Sequence, residues 1–152
     1  MSASRSILVI EDGHEYVEAF SRLATGGGAV VLVRAGDAGE AREALARRIF
    51  DAVFVDVVFD RTPPERLAGD LEAALERHGG DRARAIHELA RQQGFQILAA
   101  LSPDLPPDAR VVLAFDFSAA PGRLAALRER VPGLEGLPEG AGASEALARL
   151  LR

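Results

Sequence analysis

Short apolar runs recur along this chain, and the stretches between them follow helical spacing. Four of the runs are rich in valine, isoleucine and leucine, which is typical of strands buried on both faces of a parallel sheet. These runs are residues 6–10, 29–33, 52–58 and 111–115, and a weaker fifth run covers residues 134–137. The pattern predicts a sheet of five strands.

Between these runs, apolar residues recur three or four positions apart, which predicts amphipathic helices. The predicted helices cover residues 14–25, 38–49, 94–101, 123–130 and 145–151. Residues 26–28, all glycine, should end the first helix, while Asp37 caps the second and Ser144 the last. In the second helix, we expect Ala41 and Ile49 to face the core. Because strands and helices alternate, we predict a doubly wound α/β fold with helices on both faces of a parallel sheet.

Residues of about 61–92 interrupt this alternation directly after the third strand. Residues 62–64, Thr-Pro-Pro, break the chain and start a helix that continues to about residue 78. Residues 79–80, both glycine, end it, and Asp81 caps a second helix. We predict a two-helix insertion within the domain. It could act as a lid or a partner-docking surface beside the carboxyl edge of the sheet, or it could be a tolerated surface hairpin.

Composition narrows the functional classes. The 152 residues are about one domain in length, so we interpret residues 1–152 as a single domain. The absence of cysteine excludes disulfides, thiolate catalysis and cysteine-based zinc sites. The net charge of −5 argues against nucleic-acid binding by a basic surface, and no apolar run is long enough to span a membrane. We therefore expect a cytoplasmic protein. All 18 basic residues are arginine, so lysine-dependent chemistry is not available.

One carboxylate interrupts the apolar run of the third strand. Asp56 would be costly to bury among valine and phenylalanine unless it lies at a strand end or has a partner. In a parallel sheet, the carboxyl ends of the strands share one edge, where ligands bind. That edge would collect the polar residues that follow the strands: Glu11, Asp12, Asp56, Asp116 and Ser118. Their carboxylates suit a hard cation such as Mg²⁺, and a cation beside Asp56 would allow it to carry a phosphoryl group.

The acidic pair Glu11-Asp12 after the first strand, with Asp56 ending the third, resembles the acidic residues of response-regulator receiver domains. Residues 94–98, Gly-Phe-Gln-Ile-Leu, resemble the Gly-Phe-Glu-Leu-Leu that opens the third helix in that family. The resemblance covers nearly the whole chain except residues of about 61–92. It implies the flavodoxin-like, CheY-like receiver fold, with Asp56 as the phosphoacceptor.

The same resemblance implies a magnesium site. Asp12, Asp56 and the main-chain carbonyl of Val58 would hold Mg²⁺ directly, and Glu11 would act through a water molecule. The alternative is that these acids only cap the ends of their strands.

Two positions depart from the receiver pattern. Receivers carry a serine or threonine at the end of the fourth strand, where this chain has Phe115 and Asp116, with Ser118 two residues further on. They carry a lysine at the end of the fifth strand, where the best match here is Glu139. An acid at that point would repel a phosphoryl group instead of attracting it. We therefore expect Asp116, Ser118 and Glu139 to make an altered phosphoryl-binding environment.

An arginine could supply the missing positive charge, and Arg61 and Arg123 are candidates because they flank the loops at this edge. The resemblance favours a stand-alone receiver-like signalling domain of a two-component phosphorelay, and not an enzyme. Its partners would be a histidine kinase or phosphotransfer protein upstream and another protein downstream. A homodimer is also open, whereas nucleic acid and membrane are not expected.

Three alternatives stay open from the sequence. The first is a pseudo-receiver that binds partners without switching on phosphorylation. The second is a small magnesium-dependent phosphohydrolase with an aspartate nucleophile. That chemistry usually needs a second acid two residues after the nucleophile, where this chain has Val58. The third is a generic α/β interaction module without a cation site.

Overall fold

A parallel five-stranded sheet forms the centre of the computed structural model, which describes residues 4–25 and 28–152. The strands are β1 (Arg5–Ile10), β2 (Val30–Ala35), β3 (Ala52–Val55), β4 (Arg110–Leu113) and β5 (Leu134–Glu135). Their spatial order is β2-β1-β3-β4-β5, and each neighbouring pair is parallel. The doubly wound α/β fold is confirmed, with β3 at the centre of the sheet.

The helices of the described residues follow the predicted alternation. They are α1 (Glu15–Leu23), α2 (Ala38–Arg47), α3 (Leu71–Arg77), α4 (Arg82–Arg91), α5 (Gln93–Leu101), α6 (Pro121–Arg128) and α7 (Ala143–Leu150). Short 3₁₀ turns lie at Pro64–Arg66 and Ser102–Asp104. None of the described helices is long and apolar enough to cross a membrane.

Two hydrophobic cores cover the two faces of the sheet. All four residues of β3 are inaccessible to solvent, because successive side chains point to opposite faces and both faces are covered. Val53 and Val55 belong to the core that includes the buried side of α5. Phe54 belongs to the other core, where its ring meets that of Phe20 from α1 edge to face at 5.3 Å. This packing fixes where β3 ends, and therefore where Asp56 emerges.

Several helix boundaries differ from the sequence predictions. The prediction that Ile49 faces the core is wrong: α2 ends at Arg47, the next residue is extended, and Ile49 is 84% exposed. Ser144 does not cap the last helix, because that helix already begins at Ala143 and its N-cap, Gly142, offers no side chain. The predicted glycine stop after α1 falls partly on residues 26 and 27, which lie outside the described residues.

The segment after β3 contains two helices, but the first is shorter than its apolar spacing suggested. The 3₁₀ turn at Pro64–Arg66 ends in an extended Leu67, and Gly69 follows with a φ of +116°. The Asp70 carboxylate then caps α3 by accepting from the Ala73 N–H at 3.0 Å. The predicted cap at Asp81 is confirmed, since its carboxylate accepts from the Arg84 N–H at the start of α4.

This segment is tied to the rest of the fold by a buried amide. The Gln93 side chain is 1% exposed and forms a two-way link with the backbone of Ala68. Its Oε1 accepts from the Ala68 N–H at 2.9 Å, and its Nε2 donates to the Ala68 carbonyl at 2.7 Å. The Phe59 N–H donates to the Ala90 carbonyl at 2.8 Å. The chain between residues 59 and 68 is therefore anchored at both ends.

Candidate functional site

Asp56 lies at the centre of the carboxyl edge of the sheet. The ladder between β1 and β3 continues one residue past the strands, because the Asp56 N–H donates to the Ile10 carbonyl at 2.9 Å. The ladder to β4 continues likewise, with the Ala114 N–H donating to the Val55 carbonyl at 3.0 Å. Asp56 is therefore flanked by Glu11 on one side and by Ala114 on the other.

The Glu11 side chain accepts hydrogen bonds from the first turn of α1. Its side chain is 1% exposed, and its two carboxylate oxygens accept from the Tyr16 N–H at 3.0 Å and the Val17 N–H at 2.7 Å. The N-cap residue of this helix, His14, makes no side-chain cap. Glu11 thus satisfies amide groups that a helix start otherwise leaves without partners, and its charge is favoured by the helix dipole.

Asp12 is partly exposed and bonds to the chain that follows β3. Its Oδ2 accepts from the Arg61 backbone N–H at 2.7 Å. The loop that carries Asp12 is held from the other side by Arg34 of β2, whose guanidinium donates to the carbonyls of Gly13 at 2.6 Å and Asp12 at 3.0 Å. The structure therefore brings Asp12 to the same edge as Asp56 and fixes its backbone.

Arg61 also makes an ion pair at this edge. Its Nη2 lies 2.6 Å from Oε1 of Glu15, and both side chains are more than half exposed. The pair lies across the backbone of Gly13, where an added Cβ would overlap the Glu15 carboxylate and the Arg61 guanidinium. The hydrogen bond from Arg61 lowers the pKa of Glu15 to about 2, so Glu15 is ionised at neutral pH.

The Asp56 carboxylate is half-buried in an environment that disfavours its charge. Burial raises the pKa of Asp56 to about 6, and the negative charges of Glu11, Asp12 and Glu15 add to this effect. A hydrogen bond from the Val57 N–H to Oδ1 at 2.9 Å opposes it. Burial is therefore the main cause of the raised pKa of Asp56, and the neighbouring carboxylates reinforce it.

The residues expected near the missing serine, threonine and lysine bond to one another. Asp116 accepts from the Ser118 N–H at 2.8 Å through Oδ1 and from the Glu139 N–H at 2.9 Å through Oδ2. These bonds, the one from Ser118 first, lower the pKa of Asp116. Asp116 thus joins the loops that follow β4 and β5, whereas the side chains of Ser118 and Glu139 belong to exposed residues.

Two apolar side chains also lie on the β4 and β5 side of this edge. Ala114 is directly beside Asp56 in the strand ladder. Leu137 is 6% exposed and packs in the core of α1 and α7, and its N–H donates to the Phe115 carbonyl at 3.0 Å. Ala114 and Leu137 line a cavity of about 250 Å³ whose other walls include Tyr16, Asp116 and Glu139. Neither Ala114 nor Leu137 can donate a hydrogen bond from its side chain or carry positive charge.

Gly94 explains how α5 approaches the site so closely. Its N–H donates to the Val57 carbonyl at 3.0 Å, and an added Cβ would lie 2.6 Å from the Asp56 carbonyl oxygen. Only glycine fits between the start of α5 and the end of β3. In the sequence, Gly94 stood out only as part of a family motif, and this packing role depends on a contact between distant parts of the chain.

Arg61 and Arg123, the two arginines proposed to supply positive charge, contact different parts of the fold. Arg61 contacts Asp12 and Glu15 at the part of the carboxyl edge where Glu11, Asp12, Glu15 and Asp56 lie, which we call the acidic edge. The guanidinium of Arg123 lies 3.5 Å above the ring of Phe95 and donates to Oε1 of Gln92 at 3.0 Å. Arg123 therefore links α6 to α5 through a cation–π contact and a hydrogen bond.

The donor set at the edge fits a hydrated Mg²⁺ in part. In residues 4–25 and 28–152, no three carboxylate or imidazole groups converge as a metal site. Asp12 and Asp56 nevertheless supply two carboxylates at adjacent strand ends, and Mg²⁺ commonly takes one or two carboxylates and keeps several waters. Glu11 fits less well, because both of its oxygens accept hydrogen bonds from α1.

Solved structures of receiver domains resemble this chain over nearly its whole length. The beryllofluoride-activated NtrC receiver domain matches with a TM-score of 0.60 and 18% identity, over 99% of this chain and 94% of that chain. The receiver domain of a Francisella response regulator matches with a TM-score of 0.59 and 12% identity, over 97% and 93%. A Burkholderia pseudomallei response regulator, solved with a phosphorylated aspartic acid, a calcium ion and citrate, matches with a TM-score of 0.55 and 20% identity, over 96% and 66%.

At the level of sequence, the chain matches no protein-family model and no curated protein. At identities this low, the structural similarity bears on the fold alone. The strand order β2-β1-β3-β4-β5, with an acidic residue ending the central strand, agrees with it. The chain has the CheY-like receiver fold of two-component response regulators.

Proposed function

We propose that this chain is a receiver-like signalling domain of a two-component phosphorelay in which Asp56 accepts a phosphoryl group. The observation that carries the proposal is the position of Asp56. It ends the central strand, its carboxylate is half-buried, and Asp12 and Glu11 lie beside it at the same edge. The phosphoryl donor would be a histidine kinase or a phosphotransfer protein.

The transfer is a displacement at phosphorus. A carboxylate oxygen of Asp56 forms a new P–O bond while the bond between phosphorus and the donor breaks, and the leaving group keeps the electron pair. Oδ1 already accepts from the Val57 N–H, so Oδ2 is the better placed nucleophile. Mg²⁺ held by Asp12 and Asp56, with the Val58 carbonyl as the third expected ligand, would offset the charge of the phosphoryl oxygens.

We further propose that the response to phosphorylation differs from that of a standard receiver. Ala114, beside Asp56, has no hydroxyl to bond a phosphoryl oxygen, and the buried Leu137 has no charge. Asp116 is engaged by the loop backbones of Ser118 and Glu139. The output would therefore pass through contacts with a protein partner, or with a second copy of the chain, that do not depend on a serine or lysine at this edge.

Phosphorylation by a small-molecule donor tests the proposal. Purified protein is incubated with acetyl phosphate and Mg²⁺, and its intact mass is measured, with Asp56→Asn as the matched control. We expect a gain of one phosphoryl group in the wild type and none in the variant. A wild type that gains no mass at any Mg²⁺ concentration, although it is folded, would contradict the proposal.

The second candidate is a pseudo-receiver whose partner binding does not depend on phosphorylation. Ala114 favours it, because the alanine beside Asp56 cannot give a phosphoryl group the hydrogen bond that a serine or threonine would give. In that case Asp56→Asn would keep full partner binding and the wild type would not be modified. No comparable observation favours a phosphohydrolase, since Val58 lies where that chemistry needs its second acid.

A further inference from the structure

Arg61 contacts the acidic edge through both its backbone and its side chain. The backbone N–H donates to Oδ2 of Asp12 at 2.7 Å, and the guanidinium bonds to Glu15 at 2.6 Å. The first contact occupies an oxygen of a proposed cation ligand. The second places a permanent positive charge beside the carboxylates that would attract a cation.

The backbone contact is imposed by the fold. On one side of Arg61, the Phe59 N–H is bonded to the Ala90 carbonyl at 2.8 Å. On the other, the backbone of Ala68 is held by the buried amide of Gln93. A substitution at position 61 should therefore keep the backbone conformation of this segment. It then removes the guanidinium but not the hydrogen bond from the backbone N–H to Asp12.

The guanidinium of Arg61 matters for cation binding because several acidic side chains lie close to it. Glu11, Asp12 and Glu15 belong to the loop and the helix start that follow β1, beside Asp56, so four carboxylates gather in this part of the fold. Arg34 also contacts the loop after β1, but it donates to main-chain carbonyls. Arg61, by contrast, forms an ion pair with one of these acids, Glu15.

We propose that Arg61 is an internal counter-ion that sets how tightly the acidic edge binds a divalent cation. A cation at Asp12 and Asp56 would share the Asp12 carboxylate with the Arg61 N–H, which bonds to Oδ2, and would be repelled by the guanidinium. This inference deepens the proposed function and depends on its cation site. Cation affinity is then determined by the segment that follows β3 as well as by the carboxylates themselves.

Cation titrations of the full chain test the inference. Mn²⁺ and Mg²⁺ binding are measured for the wild type, Arg61→Ala, Arg61→Lys and Arg66→Ala. Arg66 is the matched control, because it belongs to the same segment but pairs with Asp37 at 3.8 Å. Removing one positive charge close to a divalent ion should tighten binding about three- to tenfold at low ionic strength. Arg61→Lys keeps the charge, so it should stay near the wild-type affinity, and so should Arg66→Ala.

Hydrogen exchange gives a second readout. Cation binding in the wild type should speed exchange at the Arg61 amide, because the cation weakens the bond between that amide and Asp12.

The titrations can overturn the inference in three ways. If the wild type and Arg61→Ala bind Mn²⁺ equally, or Arg61→Ala binds more weakly, the counter-ion role is overturned while the cation site stands. If neither binds, the cation site is overturned and the inference with it. Tighter binding by Arg66→Ala to the same extent would also overturn it, because a general effect of charge would then explain the result.

Discussion

Asp56 keeps a carboxylate at a position where its negative charge destabilises the folded protein. Burial and three neighbouring acids raise its folded-state pKa to about 6. A raised carboxyl pKa means that the folded state binds its proton more tightly than the unfolded state. The resulting stabilisation is complete below the unfolded-state pKa of about 4 and is lost as the pH rises through about 6.

Asp56→Asn should therefore stabilise the protein at neutral pH in the absence of divalent cations. Asparagine carries no charge and can still accept the Val57 N–H. We expect a gain of about 1–2 kcal/mol at pH 7, measured by urea unfolding, and a smaller gain at pH 4. Asp51→Asn is a control, because Asp51 is exposed and lies at the opposite end of β3. A difference that does not change between pH 4 and pH 8 would contradict the pKa assignment.

Gly94 is the second residue on which the site depends. A Cβ there would press on the backbone carbonyl of Asp56, 2.6 Å away, so Gly94→Ala must displace α5 or the end of β3. We expect a loss of about 1–3 kcal/mol in unfolding free energy, together with amide chemical-shift changes at Asp56 and Val57.

Gly122→Ala is the matched control for this substitution. Gly122 lies in the first turn of α6, and an added Cβ there meets no atom within 4 Å. It should be neutral or slightly stabilising, because alanine is the better helix former. Equal destabilisation by both substitutions would show that the close approach at Gly94 is not the cause.

The acidic residues of the site could be located from the sequence, but their contacts could not. Apolar runs show where strands end, which was sufficient to place Glu11, Asp12 and Asp56 at one edge. The bonds of Glu11 depend on the angle at which α1 leaves the sheet. The bond between Asp12 and Arg61 joins residues 49 positions apart. Neither leaves a local signal in the chain.

At the scale of the elements, the segment after β3 shows that apolar spacing alone does not determine where a helix begins. The apolar spacing suggested one helix up to about residue 78, but the positive φ of Gly69 and the cap at Asp70 delay α3 to Leu71. The caps at Asp37 and Asp81 were predicted correctly, because an aspartate before an apolar helical pattern is a strong start signal. The end of α2 was placed too late, because Ile49 continued its pattern while its backbone did not.

The link between Gln93 and Ala68 should control how firmly this segment is held. Gln93→Ala removes three hydrogen bonds, two to Ala68 and one to the Leu89 carbonyl, and leaves backbone groups of Ala68 without their partners. We expect a loss of about 2–4 kcal/mol in unfolding free energy and faster hydrogen exchange in α3.

The neighbouring Gln92→Ala provides a comparison for this prediction. It removes the same type of side chain but only one side-chain hydrogen bond, which Gln92 accepts from the exposed Arg123. It should cost less than about 1 kcal/mol and leave exchange in α3 unchanged. If Gln93→Ala is no more destabilising than Gln92→Ala, the amide link does not anchor the segment.

For the whole molecule, the alternation of strands and helices was sufficient to predict the fold class. It could not give the strand order by itself, because several orders are compatible with the same alternation of elements. The order places β3 between β1 and β4, and this decides the chemistry of the site. Acids of the loop after β1 lie on one side of Asp56, and Ala114 lies on the other. Carboxylates therefore gather on the β1 side of Asp56, whereas the alanine beside it on the β4 side cannot donate a hydrogen bond from its side chain.

The most direct test of this account is the chemical location of the phosphoryl group. After reaction with acetyl phosphate and Mg²⁺, an acyl phosphate can be reduced with borohydride, which converts the modified aspartate to homoserine, and the peptide can then be sequenced. We predict homoserine at position 56 alone. Modification at Asp12 or Asp60 in place of Asp56, or no reducible acyl phosphate in the folded protein, would contradict the account.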